Sequence, residues 1–229
     1  MHDPIPHLQL KRGEERRLRG GHLWVFSNEV DTEKTPLKPL QPGQAVILCD
    51  SRGKTIGSAY ANPHSLICAR LVSRDSRHLL NESLLVHRLK VALALRERLY
   101  PEPYYRLVYG ESDGLPGLVI DRFDNLCVVQ INTAGMEAVK DELVVALQRV
   151  VKPSHILIRA DSSMRELEGL ERYAEWIGGA GPETLNVNEN GGRFVAPTTG
   201  GQKPAGISTT APTAPPSPST CARPGARRV

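Results

Sequence analysis

Apolar residues recur along this sequence at two different spacings, and the change between them divides it. Up to about residue 75 they come in short runs broken by turn residues. Ala45-Val-Ile-Leu-Cys49 follows the turn Gln41-Pro42-Gly43-Gln44. Asp50-Ser-Arg-Gly53 then leads into Thr55-Ile-Gly-Ser-Ala-Tyr60, which predicts a β-hairpin. A further strand is expected over Leu66–Val72, after Asn62-Pro63. Short strands with few helical stretches predict a compact barrel over residues 7–75.

Between 76 and 103 the spacing lengthens. Leu85, Leu89, Ala92 and Leu99 repeat near the helical period, with Arg88, Lys90, Arg96 and Arg98 toward water, which predicts a linker helix over about 81–100. Pro101 and Pro103 stop it. Residues 104–195 then mix both periods. Runs at Arg106–Tyr109, Leu118–Asp121, Leu126–Ile131 and His155–Arg159 read as strands, as do Thr184–Val187 and Arg193–Val195 around Asn188-Glu-Asn-Gly-Gly192. Thr133 is a candidate N-cap for one helix whose stripe is Met136, Leu143, Leu147 and Val150, ended by Pro153. Gly178-Gly-Ala-Gly-Pro182 reads as a loop. The fold class is α+β: a small barrel, then a strand–strand–helix–strand–strand layer.

Residues 204–229 break with this. Six of them are Pro, seven Ser or Thr and five Ala, too little apolar surface to offset chain entropy, so a disordered tail is expected. Charge sharpens the division. The 229 residues carry a net +4, but Arg223, Arg227 and Arg228 supply three of those charges without any acid nearby. Residues 1–203 therefore hold about +1, and a nucleic-acid site must be a local patch. No apolar run reaches the ~18 residues of a membrane span, and the start lacks a secretory signal. Cys49, Cys68, Cys127 and Cys221 form no C-x-x-C pair, and the first three sit in strand-like runs as buried thiols. These features predict a cytoplasmic chain without a membrane partner, a zinc module or a disulfide scaffold.

Five stretches carry a family likeness. Leu10-Lys-Arg-Gly-Glu-Glu-Arg-Arg-Leu-Arg-Gly-Gly-His-Leu-Trp-Val-Phe-Ser-Asn-Glu-Val30 and Ala59-Tyr-Ala-Asn-Pro-His-Ser65 are the first two. Gly110–Arg122 and Arg159–Gly169 follow, then Asn188-Glu-Asn-Gly191 with Gly201-Gln-Lys203. Together they resemble the bacterial 23S rRNA cytosine-C5 methyltransferases that carry a PUA domain, over about residues 8–203. The resemblance implies ribosomal RNA as partner. It also implies S-adenosylmethionine as cofactor, held by a Rossmann-like domain that comes next in the family.

After Lys203 the sequence shows no strand–Gly-rich-turn–helix unit. It also lacks the Pro-Cys pair whose thiolate would attack C6. Cys221 sits in the tail without a scaffold to position it. Residues 196–229 are thus expected to be a cut-short lead-in followed by frameshifted or truncated sequence. The expectation is no cofactor bound by this chain, no catalytic residues and an incomplete enzyme. The alternative is a non-enzymatic RNA-binding or ribosome-associated adaptor, or a pseudogene fragment; a module that pairs with itself as a homodimer is a third reading.

Candidate RNA contacts are Lys11, Arg12, Arg16, Arg17 and Arg19, which would meet phosphates, against a solvated helix face partly self-paired through Glu14 and Glu15. His22, Trp24 and Phe26 alternate with Leu23 and Val25 as on a strand, and would stack on unpaired bases. Core packing of Trp24 and Phe26 is the competing and favoured reading. Asn62-Pro63-His64 is either a ligand loop or a turn. The acids Glu111, Asp113, Asp121, Asp124 and Asp161 read as turn punctuation rather than a metal site.

Overall fold

The structure is a computed structural model that describes residues 4–189 and 192–198. The expected tail at 204–229, Cys221 and residues 190–191 of the last turn lie outside that range. The N-terminal part is a five-stranded sheet in the order β1-β3-β4-β5-β2. Its strands are β1 (His7–Gln9), β2 (Trp24–Val25), β3 (Ala45–Cys49), β4 (Thr55–Ala61) and β5 (Ala69–Ser73), with the short helix α1 (Glu15–Arg19) between β1 and β2. The β1–β3 pair is parallel and the other pairs are antiparallel.

The two sheet edges meet just beyond their ends. Leu10 bridges Val30, Lys11 N–H donates to the Glu29 carbonyl at 2.9 Å, and Asp31 N–H donates to the Gln9 carbonyl at 2.9 Å. That closure satisfies edge groups that would otherwise stand open. Leu8, Leu10, Leu18, Val25, Val46, Leu48 and Leu71 fill the inside. The strand expected from Leu66 begins instead at Ala69. Asn62 N–H donates to the Cys68 carbonyl at 2.8 Å and closes a loop over 62–68, which leaves Leu66 71% exposed.

Helix α2 (Glu82–Leu99) starts where Asn81 Oδ1 accepts from Leu84 N–H at 3.1 Å. Leu85, Leu89 and Ala92 are buried as expected, but Leu99 is exposed. Arg96 does not face water. It folds back to give Asp113 a two-pronged ion pair at 2.7 and 2.8 Å.

The second sheet has the order β10-β9-β8-β7-β6. It comprises β6 (Tyr104–Tyr109), β7 (Leu118–Phe123), β8 (Leu126–Ile131), β9 (His155–Ala160) and β10 (Tyr173–Ile177). Three strands precede the helical crossover, at the three runs expected from Arg106, Leu118 and Leu126 and one more than the strand–strand–helix–strand–strand order counts, and β10 was not foreseen. Its Tyr173-Ala-Glu-Trp-Ile177 is a partly exposed edge with no clean alternation. The crossover between the parallel strands β8 and β9 is broken at Val139 into α3 (Ala134–Ala138) and α4 (Lys140–Val150), where a single helix was expected. The final strands β11 (Thr184–Glu189) and β12 (Gly192–Pro197) form a separate hairpin.

Strand β8 shows why this sheet has two dry faces. Cys127, Val129 and Ile131 pack under α2 and α4, while Leu126 and Val128 meet Leu157 and Leu185 on the opposite side. The start of α3 docks on the N-terminal sheet. A Cβ on Gly135 would stand 2.2–2.5 Å from the ring of Tyr60, and one on Gly43 (φ +83°) would stand 2.7 Å from the Ala134 carbonyl oxygen. We therefore expect Gly135→Ala to cost about 1–3 kcal/mol by overpacking this junction, seen as a lower urea midpoint. An unchanged midpoint would show that the two parts are not in contact there.

Candidate nucleic-acid interface

The two parts are joined by a buried carboxylate. Glu168 follows α5 (Met164–Leu167), is 4% exposed, and reaches into the N-terminal sheet. Its Oε1 accepts from Arg70 Nη2 at 2.8 Å and Ser65 Oγ at 3.1 Å. Its Oε2 accepts from Asn62 Nδ2 at 2.9 Å and from Ala134 N–H, at the start of α3, at 3.3 Å. Burial pushes the Glu168 pKa up, but the Arg70 charge and these donors outweigh it and hold the carboxyl below its ordinary value. Beside it, Tyr60 O–H donates to the Pro116 carbonyl at 2.9 Å and lies 3.1 Å from Thr133 Oγ1. Thr133 precedes α3 yet makes no side-chain cap, because its hydroxyl is turned to Tyr60. Asn62 of the Asn62-Pro63-His64 stretch is thus a clamp between the two parts as well as part of a turn.

Of the basic residues around α1, some are committed to structure. Arg17 pairs with Glu29 and lies over the Phe26 ring, 5.1 Å from its centroid. Arg19 pairs with Asp50 at 2.9 Å, and Lys11 Nζ donates to the Asn28 carbonyl at 2.9 Å. The partner acids lie well along the chain, not at the neighbouring Glu14 and Glu15; Glu15 instead accepts from Gly13 N–H at 3.0 Å. Arg12 and Arg16 are exposed and, among the described residues, make no ion pair. The β3–β4 turn brings Arg52 and Lys54, also exposed and without an ion pair among the described residues, to the same groove of about 780 Å³. Those two were missed in the sequence because they lie in a hairpin turn, far from the charged run they join.

The expected alternation around β2 holds: Val25 is buried and Leu23 packs on the core, whereas His22 and Trp24 face out. Core packing is therefore the wrong reading for Trp24, which is 40% exposed; Phe26 is half-buried. The indole N–H of Trp24 donates to Glu111 Oε1 at 2.7 Å across to the second part. Trp24, Phe26 and Tyr109 line a cleft of about 690 Å³ between the two parts, with Arg70 and Asn132 further in.

The remaining acids are held by basic neighbours or turns. Asp121 pairs with Arg106 at 2.9 Å and Asp161 with Arg159 at 2.5 Å, while Asp124 takes a left-handed φ of 51° in the β7–β8 turn. Among the described residues no group of three His, Cys, Asp or Glu is placed to hold a metal. Cys49, Cys68 and Cys127 are buried free thiols, and burial pushes the last two up to about 12. No helix among the described residues is long and apolar enough to cross a membrane.

Residues 8–74 match the PUA-like domain family. The chain is 38% identical over 203 residues to the ribosomal RNA large subunit methyltransferase I of Erwinia tasmaniensis, covering 86% of this chain and 50% of that protein. It is 36% identical over 200 residues to the protein of the same name from Photobacterium profundum, again covering 86% and 50%. The chain spans about half the length of the curated relatives it matches. Among solved structures, a candidate SAM-dependent methyltransferase from Streptococcus mutans superposes with a TM-score of 0.67 at 18% identity, over 83% of this chain and 48% of that one. A candidate methyltransferase complexed with SAH gives 0.70 at 18% identity, over 86% and 49%. These likenesses establish a shared fold.

The Glu168 carboxylate makes stability depend on acid. Its folded pKa lies below the ordinary 4.5, so its contribution is complete above that pH and is lost as pH falls through the folded value. We expect Glu168→Gln to lose about 3–5 kcal/mol at pH 7, because Arg70 stays buried without its counter-charge. The variant should also lose this acid-dependent step. Equal urea midpoints for variant and wild type at pH 7 would remove the ion pair from this role.

Proposed function

Taking residues 8–74 as a PUA-like domain, we propose that this chain supplies the RNA-gripping portion of a large-subunit rRNA methyltransferase acting in the cytoplasm. The target of that activity is a cytosine C5 of 23S rRNA, and S-adenosylmethionine is its methyl donor. The observation that carries the RNA reading is the groove holding Arg12, Arg16, Arg52 and Lys54 beside Glu15 and Asp50; the four cations are exposed and, among the described residues, make no ion pair. Cations left unpaired in one groove of a body with little net charge suit a phosphate backbone. The relatives named for rRNA methylation support the same reading.

The strand-to-helix passage from β8 to α3 does not fit the methyl donor. There Ala134 N–H is taken by Glu168, and the Tyr60 ring fills the space over Gly135. The part of the described residues is to hold and orient RNA.

Affinity for a single-stranded RNA fragment of 23S sequence, measured against salt, tests this. Each phosphate contact on a single strand contributes about 0.7 to the slope of log K against log salt, so Arg12→Ala with Arg16→Ala should lower it by about 1.4. Arg17→Ala should leave the slope alone and lower the melting temperature, because it strips Glu29 of its partner. An unchanged slope in the double variant would remove the groove from the interface.

A further inference from the structure

We propose that the cleft between the two parts is a pocket for one unstacked, uncharged base of the bound RNA, an inference that rests on the RNA-binding reading above. Two residues of its lining each carry a buried polar atom that is without a hydrogen-bond partner among the described residues. Arg70 is 6% exposed and uses Nη2 on Glu168, leaving its buried Nη1 without an acceptor there. The buried Oδ1 of Asn132, just after β8, is likewise without a donor among the described residues. Both residues line the same cleft. An unmet donor and an unmet acceptor in one cavity are costly to keep and match the edge of a heterocyclic base, which offers acceptors beside donors.

The walls suit a flat ring. Trp24 is fixed by its indole N–H on Glu111, so its face is what it has left to offer, and Tyr109, 57% exposed, and Phe26 line the same space. The charge around the cleft argues against phosphate. Arg70 is already neutralised by Glu168, and Glu111 places a carboxylate on the wall. A neutral group fits, and the sugar–phosphate chain finds its cations in the groove on the N-terminal part. Helix α1 links the two places: Arg16 lines the groove, while Arg17 lies over Phe26 of the cleft.

The test titrates the full 229-residue chain with adenosine, guanosine, cytidine and uridine, followed by ligand-detected NMR. Nucleosides carry no phosphate, so the basic groove contributes nothing to their binding. The expected result is saturable binding of at least one, weakened about tenfold or more by Asn132→Leu and by Trp24→Ala. Asn132→Leu removes an acceptor that has no donor, so its melting temperature should match wild type. Trp24→Ala changes an exposed side chain and reads the same pocket if the first variant fails to fold. No saturable binding by any nucleoside, or binding that both variants leave unchanged, overturns the pocket.

A second arm compares a single-stranded RNA decamer carrying the preferred base with one carrying an abasic residue in its place. An affinity about tenfold lower for the abasic decamer, at an unchanged salt slope, is expected; equal affinities overturn the assignment to RNA. Salt-dependent RNA binding without nucleoside binding would fell the pocket and leave the RNA reading standing. Nucleoside binding without salt-dependent RNA binding would fell the RNA reading and, with it, the assignment of the pocket to RNA.

Discussion

The arrangement of this chain depends on one buried ion pair, Arg70 with Glu168, at 2.8 Å and with 7% and 4% of the two side chains exposed. Neither charge is tolerable there without the other, since each has left water for a poorly polarisable interior. Arg70 belongs to the N-terminal sheet and Glu168 to the loop after α5, so the pair is satisfied only when the two parts are docked. The same carboxylate caps the start of α3 and receives Asn62 and Ser65. One group thereby sets the spacing of both walls of the cleft. Arg165, almost fully buried three residues before it, anchors the loop. It donates to the Ile131 carbonyl and to Glu137 at 2.7 Å each, and to the Glu171 carbonyl at 2.8 Å.

Charge on α1 illustrates how a local run can mislead. Five basic residues between 11 and 19 look like one patch, but the fold divides their work. Arg17, Arg19 and Lys11 fasten α1 and its flanks to the rest of the N-terminal part, and Arg12 and Arg16 stay exposed, without an ion pair among the described residues. The groove is completed from another part of the sequence by Arg52 and Lys54. Counting cations along the chain overstates the local patch and misses its distant members, because ion pairing is settled in three dimensions.

The regular elements with a clean period were legible. Ala45–Cys49 and Leu126–Ile131 are strands at the bounds the apolar runs suggest, and Asn81 caps α2 where the helical stripe begins. Elements shaped by contacts from afar were not. The docking of Gly135 on Tyr60 depends on a partner more than 70 residues away. The site was half legible: outward-facing His22 follows from alternation and Arg12 and Arg16 from the basic run, whereas Trp24 faces out against the favoured expectation of core packing. Arg70 reads from the sequence as one charge inside an apolar strand, and Glu168 as one acid among several. Nothing local marks either as the other's partner.

The sequence distance between those partners has a consequence for biosynthesis. Arg70 and Glu168 are 98 positions apart. At elongation rates of roughly 5–20 residues per second, Arg70 waits about 5–20 s for its counter-charge to be made. During that interval the guanidinium of Arg70 stays in water on the face that the second part later covers, while the core of the N-terminal sheet, which does not include it, is free to pack. Docking of the two parts waits for the loop after α5 to emerge.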